Sequence, residues 1–182
     1  MPMQKVFRKV AAVVALGAVF AYVNPLPAAD SAAPPAAENA APEPLPMDEL
    51  TKSMKPLERA EMAAKGTLKN PYTDNAEAIE QGKKLYFNKS CNGCHGGGGG
   101  GGMCPPLTNS VWVYGSDDDT LFRLISMGTD ELKKHGYTRK GTEGVVGPMP
   151  PFGELINTDQ DLWKIIAWIR TVYSGPPAKR NW

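Results

Sequence analysis

The sequence predicts an all-α fold, and three observations carry that prediction. Apolar residues recur at helical spacing in three separate segments of the C-terminal two thirds. Each segment is preceded by a capping residue or an acidic turn suited to a helix N-terminus. No β-type alternation of convincing length occurs anywhere in the chain. At 182 residues there is room for one domain with appendages.

Taken in order, the first thirty residues read as an export signal. Lys5, Arg8 and Lys9 form a positive start, and residues 10–23 are an unbroken apolar run. That run is short of the roughly 20 residues a membrane span needs. Small residues follow, with Ser31-Ala32-Ala33 as the best cleavage match. Residues 1–30 are therefore expected to be a signal peptide, with an uncleaved anchor, and so a membrane attachment, as the alternative. Either reading places the folded part outside the cytoplasm, in the periplasm. Removing Lys5, Arg8, Lys9 and Asp30 takes the 20 basic and 19 acidic side chains to 17 and 18, a net charge of about −1. No basic cluster calls for nucleic acid, and such a balance argues against a strongly steered encounter with any partner.

Residues 31–69 read as an Ala/Pro-rich linker of disordered character, too poor in large apolar groups to offset its ordering entropy. A short helix within residues 57–68, ended by Gly66, is its one expected element. The folded domain is expected to span residues 70–182. Asp74 or Asn75 caps a helix running to about Asn88, with Ala78, Ile79, Leu85, Tyr86 and Phe87 as apolar members. Gly82 inside it costs about 1 kcal/mol relative to alanine, which marks it as a close packing point. A second helix is expected from Asp119 to Ser126, with Asp117, Asp118 and Asp119 at its positive end; the same acids would also suit a docking face. The third starts at Thr158-Asp159-Gln160-Asp161, carries Leu162, Ile165, Ile166, Ile169 and Tyr173, and stops at Gly175-Pro176-Pro177. Lys179 and Arg180 then read as a solvated tail.

The chemistry follows the first of these helices. Cys91-Asn92-Gly93-Cys94-His95 is a CxxCH site, in which two thiols reach the two vinyl groups of one porphyrin and the next residue supplies an imidazole to the iron. A redox CxxC pair would need a βαβ setting that is missing, and a zinc site would have to recruit Cys104 and His135. The expected cofactor is one covalent haem c. For the second axial ligand, Met149 in Gly147-Pro148-Met149-Pro150-Pro151 is favoured because flanking prolines hold its loop stiff. Met127 is the runner-up, with core packing as its other role; His135 would give a bis-histidine site, and Met103 lies too near His95. Seven glycines at residues 96–102 read either as a tolerant, flexible loop or as a side-chain-free opening at a haem edge.

Residues 70–173 resemble class I cytochrome c: a helix with a glycine, CxxCH, a proline-bearing loop, a middle helix, a methionine loop and a C-terminal aromatic helix. Cys104-Pro105-Pro106-Leu107, Trp112-Val113-Tyr114-Gly115, Asp118-Asp119-Thr120-Leu121-Phe122 and Trp168-Ile169-Arg170 are similar to the cytochrome cL and XoxG-like group. The resemblance implies helices wrapped around one haem, with Cys91 and Cys94 as thioether attachments and His95 and Met149 as iron ligands. It casts the Pro105 carbonyl as acceptor for the His95 ring N–H and brings Trp112 to the cofactor. The family often has glycine where this chain has Cys104, which leaves an odd cysteine: a buried small hydrophobe or an intermolecular disulfide partner.

The implied function is electron transfer, not catalysis. The implied donor is a PQQ-dependent methanol dehydrogenase, of lanthanide type in the XoxG branch, and the acceptor a downstream cytochrome c or oxidase. An ethanol dehydrogenase or a respiratory complex is the alternative donor, and a haem sensor with an open sixth position is the alternative class.

Overall fold

Helices form the regular structure of residues 53–141 and 147–182, which are the residues described by this computed structural model, and no strand occurs among them. The expected all-α class holds. The expected export signal, residues 1–30, and the first part of the expected linker, residues 31–52, lie outside the described residues.

Among the described residues five α-helices follow one another, α1 (Pro56–Met62), α2 (Ala76–Asn88), α3 (Cys91–His95), α4 (Asp118–Lys134) and α5 (Asp159–Thr171), with a 3-10 turn at Pro177–Lys179 after them. Asn75 caps α2 by accepting from the Ala78 N–H at 2.9 Å, and Thr158 caps α5 by accepting from Asp161 N–H at 3.1 Å. Both caps satisfy orphan donors of the first turn, as the sequence predicts. The two helices cross at Gly82, where a Cβ would sit 1.9 Å from the Lys164 carbonyl oxygen. Only glycine permits that approach. One turn on, the Tyr86 ring meets Trp168 with centroids 4.3 Å apart, and Phe122 of α4 meets Trp163 at the same distance.

The core-facing side of α5 carries Leu162, Trp163, Ile165, Ile166 and Ile169, all buried. At about 1.5–3 kcal/mol of transfer energy each, that one face contributes a gross term as large as the whole net stability of an ordinary domain. The fold therefore depends on α5 being seated.

Near the N-terminus the structure differs from the expected boundary at Asn70. Ala60 and Leu68 are fully buried, and α1 packs against α4 and α5. The Arg59 guanidinium pairs with Asp159 at 2.8 Å, both groups being inaccessible to solvent. Arg123 of α4 donates to the carbonyls of Ala60, Ala63 and Ala64, so it satisfies the open C-terminal end of α1. The first tie spans 100 residues and the second about 60, and neither leaves a periodic trace in sequence.

Helix α4 extends well beyond the expected Ser126. It breaks at Gly128 (φ 77°, ψ 172°) and resumes to Lys134, where exposed pairs such as Lys134–Glu131 at 2.8 Å support a mostly solvated turn. The acids at its start are all engaged, and two of them are buried. Asp117 accepts from the Thr120 N–H at 2.9 Å, buried Asp118 pairs with Arg170, and buried Asp119 binds Arg123. The last two are consumed by the core and are not a docking face. The C-terminal tail also folds inward: the Trp182 ring stacks on Trp112 at 5.9 Å and 6°, with the Arg170 guanidinium 4.9 Å from its centre.

Candidate haem site

Ser90, at φ 60°, turns the chain out of α2 and starts the single helical turn Cys91–His95. In that turn Cys91 and Cys94 stand three residues apart on one face. The chain then folds back on itself through the glycine run. Gly101 N–H donates to His95 O at 2.9 Å, Cys104 N–H to Cys94 O at 3.1 Å, and Leu107 N–H to Gly99 O at 2.7 Å. Gly99 is buried, with φ 73° and a would-be Cβ 3.0 Å from the Val172 side chain. The run is a closed, bonded loop, and none of its seven glycines lines the cleft described below.

The fold-back delivers the Pro105 carbonyl to within 2.9 Å of His95 Nδ1. A carbonyl only accepts, so this contact places the ring proton on Nδ1 and leaves the Nε2 lone pair for a metal. Cys91, His95, Pro105, Trp112 and Met149 all line one cleft of about 280 Å³. Tyr86, Leu107, Leu121, Ile125, Ile165 and Ile169 give it apolar walls from α2, α4 and α5. Asp130, Lys133 and Arg139 are its charged members. Cys94 is on the same turn but not among the residues that line the cleft. Trp112 is oriented by its Nε1–H, which donates to Leu107 O at 3.0 Å.

Burial pushes the Cys91 thiol up to about 11, with Cys94 adding a smaller push. Tyr86 rises to about 12, again mainly through burial, and its hydroxyl donates to Gly96 O at 2.7 Å. Both groups are neutral at neutral pH, in keeping with apolar walls.

Met149 is held by its backbone at both polar atoms. Its N–H donates to Thr129 Oγ1 at 2.8 Å, and its carbonyl accepts from Thr129 N–H at 2.9 Å. The break at Gly128 makes this arrangement. A continuous helix would pair Thr129 N–H with Ile125 O; here Ile125 O accepts from Phe152 N–H at 2.9 Å and Ser126 O from Gly153 N–H at 2.8 Å. The helix ladder is thus handed over to the methionine loop, and a Cβ on Gly128 would lie 2.9 Å from both Met149 O and Pro151 N. Sequence reasoning misses Gly128 and Thr129; the only trace was a glycine inside an otherwise helical pattern. The other ligands weighed lie elsewhere. Met127 is in the core, Met103 is 82% exposed, and His135 ends α4 facing Glu131 at 3.5 Å.

A profile of the cytochrome c family matches residues 79–173, just over half of the chain. The chain belongs to the cytochrome c family. This cytochrome accordingly carries a covalently bound c-type haem, and its donor set suits one: the Cys91 thiol, an imidazole with Nε2 free and the Met149 thioether line one mainly apolar cleft, and Cys94 stands on the same turn as Cys91.

Among relatives, it is 33% identical over 118 residues to cytochrome c-L of Methylorubrum extorquens, covering 64% of this chain and 51% of that one. It is also 33% identical over 82 residues to the cbb3-type cytochrome c oxidase subunit CcoP of Azospirillum brasilense, covering 43% and 26%. This cytochrome thus spans about half the length of the first relative and a quarter of the second. Among solved structures, cytochrome cL from Hyphomicrobium denitrificans aligns with a TM-score of 0.46 at 31% identity, covering 62% of this chain and 57% of that one. Cytochrome cL from Methylophaga aminisulfidivorans aligns with a TM-score of 0.47 at 25% identity, covering 66% and 77%.

Proposed function

We propose that this cytochrome is a one-electron carrier of the periplasm, reduced by a PQQ-dependent methanol dehydrogenase of lanthanide type and oxidised by a downstream cytochrome c or oxidase. The observation that carries the reading is the double anchoring of Met149 by Thr129 on the same cleft as the Pro105-bound His95. When bound, the haem supplies an iron that exchanges one electron without any substrate being transformed. Cys91 and Cys94 would tether it through thioethers, and His95 Nε2 and Met149 Sδ would be the donors to its iron. Pro105 O holds the His95 ring in one orientation and, by accepting its proton's hydrogen bond, makes Nε2 a better donor. The rigid setting of Met149 favours a carrier over a sensor, because a weak thioether bond persists only if its loop does not drift. The choice of donor rests on the likeness to cytochrome cL.

Mixing the oxidised cytochrome with purified lanthanide-dependent methanol dehydrogenase, a lanthanide-independent one, and a PQQ ethanol dehydrogenase, each with its alcohol, tests the proposal by haem absorbance. The expected result is fast reduction by a methanol dehydrogenase, fastest with the lanthanide enzyme. Reduction by the ethanol enzyme alone would reassign the donor, and no reduction by any of them would overturn the reading.

A further inference from the structure

The chain after α5 does not run out into solvent. Gly175 turns it back over Tyr173: a Cβ at that position would stand 2.2 Å from the Tyr173 hydroxyl, which donates to Ser110 O at 3.1 Å. The return lays Asn181 and Trp182 against one wall of the haem cleft. Ser116 Oγ donates to Asn181 Oδ1. The Trp182 ring lies parallel to that of Trp112, with 6° between the planes and 5.9 Å between centroids, and Tyr173 stands edge-on to both. Arg170, itself buried, joins the same cluster: its guanidinium is 4.9 Å from the Trp182 ring centre and donates to Ser116 O at 3.2 Å. Trp112, Val113, Tyr114 and Gly115 are consecutive lining residues of the cleft, and Trp112 and Tyr114 are buried. Asn181 and Trp182 line none of it, yet they hold that stretch at both ends, at Trp112 and at Ser116.

We propose that Trp182 is a positioning residue of the haem site, which by stacking on Trp112 keeps the wall at residues 112–116 closed to water and so raises the reduction potential of the haem. The inference rests on the reading of the cleft as the seat of the haem, with Met149 on its iron, and not on the choice of donor. An oxidised iron site carries one more positive charge than the reduced one, and water favours the more charged form. Solvent exposure therefore lowers the potential. Trp112 separates the cleft from Trp182, so the outer ring acts through the inner one. Without it, Trp112 loses its stacked partner and the Arg170 guanidinium loses a cover, and water gains a route to the cleft along residues 112–116.

The test is an equilibrium redox titration of the haem-loaded full chain against a mediator of known potential, beside Trp182→Ala, Trp182→Phe and Asn181→Ala. In Trp182→Ala the exchange equilibrium is expected to move about tenfold towards the oxidised cytochrome, which is about 59 mV for one electron. Trp182→Phe, which keeps a ring on Trp112, is expected to restore most of the natural potential. Asn181→Ala removes only the tie to Ser116 and is expected to shift it in the same direction by less. The ferric far-red band should persist in all of them, showing that methionine stays on the iron. An unshifted potential in Trp182→Ala, even with a lowered Tm, overturns the inference and leaves the residue a role in stability alone. A shift as large in Trp182→Phe as in Trp182→Ala also overturns it, as does a shift that comes with loss of the band. If Trp182→Ala does not load haem, an unshifted potential in Asn181→Ala overturns it. A natural chain that lacks the band would instead overturn the Met149 reading, and the spectrum separates the two failures.

Discussion

Cys91, Cys94 and His95 announce their chemistry by spacing alone, whereas the residues that orient them do not. Pro105 was placed against His95 by resemblance, and the structure puts its carbonyl at 2.9 Å from Nδ1 through a glycine loop whose path no local signal encodes. Tyr86 illustrates the same gap. Its position on the apolar face of α2 is legible, but its hydrogen bond to Gly96 O and its raised pKa of about 12 come from what the fold packs around it. The phenol binds its proton more tightly folded than unfolded, so its contribution is complete below pH 10 and is lost as pH rises from about 10 towards about 12. Tyr137, raised by burial and by its bond to Asp119, acts in the same direction. Thermal unfolding followed against pH should therefore show stability falling above pH 10. In Tyr86→Phe the fall should be shallower, and stability at pH 7 lower by about 1 kcal/mol for the lost hydrogen bond. An unchanged slope would show that Tyr86 titrates as it does in the unfolded chain.

At the scale of elements, α2 and α5 were legible because each carries an apolar stripe and a cap, and even their crossing was marked by Gly82. Gly82→Ala sets about 1 kcal/mol of helix propensity gained against a Cβ 1.9 Å from a backbone oxygen. The backbone contact wins, since α5 has to move. A net loss of about 2 kcal/mol is expected, seen as a fall in Tm of roughly 8 °C; an unchanged Tm would mean the helices separate freely. Helix α4 was only half legible. Past Gly128 its stripe gives way to charged side chains at helical spacing, which read as loop, and its broken ladder is completed by residues more than twenty positions away. Thr129→Val keeps the shape but removes the acceptor for the Met149 N–H. Leaving that amide unpaired costs about 1–3 kcal/mol, concentrated in the methionine loop. The far-red absorption band of methionine-ligated ferric haem should weaken or fade at lower temperature in this variant, while the CxxCH thioethers stay intact by mass. A band as strong and as thermally persistent as in the natural chain would show that Thr129 does not hold the loop.

For the whole molecule, the all-α architecture follows from periodicity, but its closure does not. The Arg59–Asp159 ion pair and the Trp182 ring on Trp112 join segments far apart in the chain, with no repeat in the sequence to reveal them. Both fix elements around the cleft without touching the sequence motif that identifies it. The proposed carrier role asks these ties to keep one iron site unchanged on either side of an electron's passage. That claim is tested most directly by recording the ferric far-red band of the full haem-loaded chain and, after reduction, its rate of carbon monoxide binding, beside Met149→Ala. The account predicts the band and slow binding in the natural chain, with loss of the band and rapid binding in the variant. A natural chain that lacks the band and takes up carbon monoxide as fast as the variant would contradict it and indicate an open iron site.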